Sequence, residues 1–175
     1  MKTFISLKSS VCPTFQPARS RVASALAGTC KRNVLVLWLV ALALALTAQQ
    51  GHACTLNVTG VNFGSYDVFS NTPLDSTGNI DVNCPSGVGY SMALTAGGGT
   101  HTQRVMNSGG HRLNYNLYTA ANRAVVWGDA TSGTVTVNGT GIGVNVNHWV
   151  YGRIPALQNA HAGSYSDTII VELTF

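Results

Sequence analysis

After residue 53 the chain contains no lysine, and before residue 54 it contains no acid. Charge of either sign is scarce throughout, at 9% of residues. The working half carries four arginines (Arg104, Arg112, Arg123, Arg153) against six acids, a net charge of −2. The formal +4 of the whole chain therefore comes from six basic residues ahead of residue 54. A pI near 9.0 invites a nucleic-acid reading, but a Lys-free, slightly acidic domain lacks the cations that neutralise phosphates. Helix signals are missing too: beyond residue 54 no window of about eleven residues spaces apolar side chains at i, i+3, i+4 and i+7. The familiar catalytic patterns are absent. There is no CxxC, no HxH or HxxxH pair and no GxSxG elbow, so His101, His111, His148 and His161 read as scattered loop and strand residues. Gly97–Gly99 and the Gly139, Gly141, Gly143 series open no helix and precede no lysine, so they are not phosphate loops. Six acids will place some pair together by chance, and none earns an acid–base role. These absences predict a protein that is not an enzyme, with no catalytic residue, no metal site and no cofactor.

What is present begins with a leader. Residues 33–48, NVLVLWLVALALALTA, follow Lys31 and Arg32 and precede QQGHA. A basic flank, a short apolar run and a small-residue exit are the layout of a secretory signal peptide. A bilayer span needs about 20 apolar residues, so the run reads as a cleaved signal, with cleavage after Ala53 and no stable membrane anchor afterwards. Residues 1–53 are set aside as leader, and 54–175 as one domain. That domain holds two cysteines, Cys54 and Cys84, which in an oxidising compartment pair most simply as one disulfide.

Within 54–175 the rhythm is that of strands. Seventeen of the 19 glycines fall here, among alternating apolar runs: Leu56/Val58, Val61/Phe63, Ile80/Val82/Cys84, Tyr90/Met92/Leu94, Leu113/Tyr115/Leu117, Val135/Val137, Ile142/Val144/Val146/His148/Val150 and Ile169/Val171/Leu173/Phe175. Asn138-Gly139 between two such runs predicts a tight hairpin. Six or seven short strands punctuated by turns predict a β-sandwich. The last strand is among the most apolar, and its inward set runs to the final residue.

Small motifs follow one another in a specific order. They run Cys54; Phe63-Gly64-x-Tyr66-Asp67; Gly78-Asn-Ile80-x-Val82-x-Cys84; Tyr90 to Leu94 with Gly97–Gly99; Arg104-Val-Met106; Leu113 to Tyr118; Trp127-Gly128-Asp129; Val150-Tyr151-Gly152-Arg153-Ile154-Pro155 with Gln158; and Gly163-x-Tyr165-x-Asp167-Thr168 before the terminal strand. This ordered set, spanning essentially all of 54–175, resembles the spore coat protein U domain family, which includes the subunits of archaic chaperone–usher, Csu-type, pili. The resemblance implies an all-β, immunoglobulin-like sandwich, incomplete because it lacks its last strand. Its groove would lie along Ile169, Val171, Leu173 and Phe175, with Phe63, Gly64, Tyr66, Trp127, Gly128, Asp129, Tyr151, Gly152, Gly163, Tyr165 and Asp167 as structural motif residues. It implies three partners: a periplasmic chaperone that lends a strand, an outer-membrane usher, and neighbouring pilin subunits that exchange strands. The expected route is export, then the periplasm, then a pilus or coat at the cell surface serving attachment or biofilm.

The sequence departs from the family's chain-building pattern in one respect. QQGHA, the stretch just ahead of Cys54, has no apolar rhythm to donate, which suggests a tip or chain-end subunit. The alternative is a self-complete secreted binding module, for instance for glycans, presenting the aromatics Trp127, Trp149 and Tyr151.

Overall fold

The computed structural model describes residues 2–12 and 53–175. The apolar run 33–48 lies outside the described residues. Ten strands appear: β1 Lys2–Cys12, β2 Thr55–Thr59, β3 Asn62–Ser65, β4 Leu74–Asn83, β5 Gly89–Leu94, β6 Arg104–Ser108, β7 His111–Tyr118, β8 Val137–Thr140, β9 Val146–Ile154 and β10 Tyr165–Thr174. No helix is present among the described residues.

Hydrogen-bonded neighbours run β2-β4-β9-β7-β6-β10-β1-β3, with β5 pairing β10 and β8. The strand β7 serves both layers of the sandwich. Its first half pairs β6 (Arg104↔Tyr115) and its second half pairs β9 (Tyr118↔Tyr151). Alternation sets which face is buried. Ile80, Val82, Leu113, Tyr115, Leu117, Val150, Ile154, Ile169, Val171 and Leu173 are all buried in one core, while their sequence neighbours are more exposed, apart from the buried Asn116 between Tyr115 and Leu117. Cys54 and Cys84 are bonded and buried in that core, tying the start of β2 to the end of β4.

One expectation is corrected. Asn138-Gly139 is not a hairpin turn. Both residues sit inside β8, paired to Ser91 and Tyr90 of β5, and Gly139 is required because a Cβ there would meet the Tyr90 ring at 2.4 Å. Ile142 and Val144 consequently lie in an exposed connection, not a strand. β1 lies ahead of the apolar run 33–48. A strand within residues set aside as leader is part of the same fold as 54–175.

Candidate functional site: the slot between β3 and β10

On one side, β10 is held by β6 (Ser166↔Asn107) and then β5 (Val171↔Leu94, Leu173↔Met92). On its other side, among the described residues, it pairs only with β1, in parallel, from Thr3↔Tyr165 to Cys12↔Thr174. The far edge of β1 pairs antiparallel with β3 (Lys2↔Ser65, Thr3↔Gly64, Phe4↔Asn62), and Ile5 N donates to Val61 O at 2.9 Å. Among the described residues, β3 has no other sheet partner. Take β1 away and both β10 and β3 present unpaired backbone, so β1 occupies a strand-wide slot in an otherwise incomplete sandwich.

The occupant alternates as a half-buried strand must. Thr3, Ile5 and Leu7 are buried, Ile5 completely, while Lys8 faces solvent. The Thr3 hydroxyl donates to Gly64 O at 2.6 Å. Gly64 sits at φ +71°, a left-handed conformation that favours glycine. Gly60 lines the slot so closely that a Cβ on it would meet the Ile5 carbonyl oxygen at 2.2 Å.

Of the expected groove residues, Ile169, Val171 and Leu173 are fully buried on the inner face of β10, and Phe175 is partly buried against the same core. Leu7 stands in register with Ile169. The motif residues surround this wall as scaffold. Asp167 accepts from Tyr115 Oη at 2.7 Å and from Gly98 N at 3.0 Å, fixing the glycine loop against β10. Burial, and then the Asp167 charge, pushes the Tyr115 hydroxyl far above its ordinary pKa. Tyr165 is buried and donates to His161 O, and Gly163 packs against Ser108. Tyr66 Oη donates to Pro155 O and accepts from Gln158 N. A Cβ on Gly152 would collide with the ring of Phe63. Trp127 is fully buried and donates from Nε1 to Met92 O at 3.1 Å. It cannot belong to an exposed aromatic surface, whereas Trp149 and Tyr151 lie on an outer face. Gly128 packs on Thr134, and Asp129 caps the following turn through Thr131 and faces His101.

Sequence reasoning gave Arg104 no role. It is fully buried, and among the described residues no carboxylate pairs with it. Its Nε and Nη2 donate to Thr95 O (3.1 and 3.0 Å), Nη2 to Trp127 O (2.8 Å) and Nη1 to Asn116 Oδ1 (2.7 Å). Burial pulls this guanidinium below its ordinary pKa. Thr95 in turn exchanges two bonds with Ile170 on β10, so Arg104 braces the slot's main wall from inside. Among the described residues, no group of three or more His, Cys, Asp and Glu is placed to hold a metal ion.

The family model of the Spore Coat Protein U domain matches residues 40–172. Protein U of Myxococcus xanthus is 33% identical over 146 residues, covering 73% of this chain and 80% of that protein. A crystal structure of the CsuC–CsuE chaperone–tip adhesion subunit pre-assembly complex, from the archaic chaperone–usher Csu pili of Acinetobacter baumannii, is similar in fold. Its TM-score is 0.52 at 23% identity, over 70% of this chain and 39% of that one.

Proposed function

The chain belongs to the spore coat protein U domain family, and from that premise we propose that residues 54–175 form a structural subunit of a surface pilus or coat, assembled by strand exchange. The slot filled by β1 is the acceptor. A periplasmic chaperone occupies it in transit, an outer-membrane usher receives the complex, and a neighbouring subunit takes the chaperone's place. The single observation that carries this reading is β1 itself, an alternating strand that satisfies the open edges of both β10 and β3. Backbone bonds of this kind give affinity, and alternate side chains in pockets give specificity. Two buried side chains such as Ile5 and Leu7 contribute about 1.5–3 kcal/mol each. An empty slot would leave a long, apolar edge prone to aggregation.

Cleavage after Ala53 removes β1 and opens the slot. It also leaves no apolar segment ahead of Cys54, which makes this a tip or chain-end subunit that accepts a strand and offers none, serving attachment and biofilm. A second reading has its own observation: β1 belongs to the same chain, so a mature protein that keeps it is a self-complete secreted module. Production with and without a co-expressed periplasmic chaperone, with N-terminal sequencing of the exported protein, separates the two. A start at Cys54 and a one-to-one chaperone complex are expected. A start upstream of Val34 and a soluble, stable monomer without chaperone would replace the first reading by the second.

A further inference from the structure

The outer face of β4 and β9 carries a pattern that strand exchange does not use. Trp149 and Tyr151 stand two residues apart on β9, with the buried Val150 between them pointing inward. Trp149, on β9, is 54% exposed. Two residues on a strand are about 6.6 Å apart, and both side chains leave the same face. Their cross-strand partners are Asn79 and Thr77.

The charges around them cancel and are already engaged. Asp75 is gripped by Arg153 through two bonds (2.7 and 2.9 Å) and faces Arg123 at 3.1 Å. Asp81 accepts from the amides of Asn79 (3.0 Å) and Asn147 (3.1 Å). Arg123 also reaches the Tyr151 ring, 6.0 Å from its centroid. Two arginines and two aspartates sum to zero, so an ionic ligand finds no unmatched counter-charge. What remains is the exposed Trp149 ring beside the half-exposed Tyr151, bordered by amides, a hydroxyl and a carboxylate.

From this arrangement we infer that the face formed by Trp149, Tyr151, Thr77, Asn79 and Asp81 binds a neutral, extended, β-1,4-linked oligosaccharide. Such a chain is a flat ribbon whose sugar rings offer C–H faces to successive aromatic rings and hydroxyls to both sides. Aromatic residues with one apolar face and a polar surround suit that chemistry. The strands carrying the face do not pair with β1, so the inference stands independently of what fills the slot.

The test uses the purified protein with a strand in the slot. Cellohexaose is titrated against tryptophan fluorescence, with maltohexaose, which coils, as the shape control. Cellohexaose is expected to change the emission and maltohexaose to do so far less. Trp149→Ala should weaken binding about tenfold or more with no change in Tm, since the ring is exposed, and Trp149→Tyr should restore part of it. No response to cellohexaose, equal binding by Trp149→Ala, or self-association through Trp149 without a saccharide response would each overturn the inference.

Discussion

Replacing Arg104 by methionine tests whether a buried cation is a structural brace of the acceptor wall. Methionine fills part of the space but donates nothing. Thr95 O and Trp127 O then lose their guanidinium donors, while Asn116 Oδ1 keeps the backbone amide of Leu117. An orphaned buried acceptor costs about 1–3 kcal/mol. Relief from desolvating the guanidinium works in the other direction, but it cannot prevail while both carbonyls stay in place. The net expectation is a loss of about 3 kcal/mol, or a fall in Tm of about 12 °C for a domain of this size. Arg104→Lys should recover part of it, because one ammonium can satisfy one carbonyl but not the fork. Equilibrium denaturation measures the loss. Hydrogen exchange at Ile170 localises it, because Ile170 bonds to the Thr95 that Arg104 holds. An Arg104→Met protein within about 1 kcal/mol of the parent, with unchanged protection at Ile170, would refute the reasoning.

Removing the disulfide as Cys54→Ala/Cys84→Ala opens a loop of 30 residues and should cost about 3.5 kcal/mol on the loop-entropy model, read by denaturation under oxidising conditions. His148 accepts or donates a bond at Tyr90 Oη, 2.8 Å away, and burial holds its pKa below the ordinary 6.5 despite the Asp81 charge. The unfolded chain therefore takes up the proton first. Its contribution to stability is present above about pH 6.5 and is lost as pH falls towards the folded value. His148→Gln should flatten the stability profile across that acid window, and an unchanged slope would remove His148 as its cause.

Much of the fold was legible because strands write their burial into alternate positions. Leu113, Tyr115 and Leu117 face the core as the pattern requires, as do Ile169, Val171 and Leu173. Asn138-Gly139 misled because glycine serves two purposes: here it gives room to the Tyr90 ring, not a turn. Trp127 could not be placed by type alone, since tryptophan suits both a core and a platform, and only its bond to Met92 O decides. Arg104 was hidden because a charged residue normally faces water, and its acceptors are backbone carbonyls that a sequence does not display. The alternation Thr3, Ile5, Leu7 was present in the sequence, but its position ahead of an apolar leader removed it from consideration.

The central claim is that the slot between β3 and β10 takes a strand from outside residues 54–175. The direct measurement is calorimetric and thermal titration of that domain with a peptide of Lys2–Cys12, KTFISLKSSVC. Binding that raises Tm is predicted. It should be lost with an Ile5→Asp peptide, which places a charge at a fully buried position, and with a Gly60→Ala domain, whose new methyl meets the Ile5 carbonyl. A domain that is fully stable alone, ignores the peptide, or binds all three combinations equally would contradict the account.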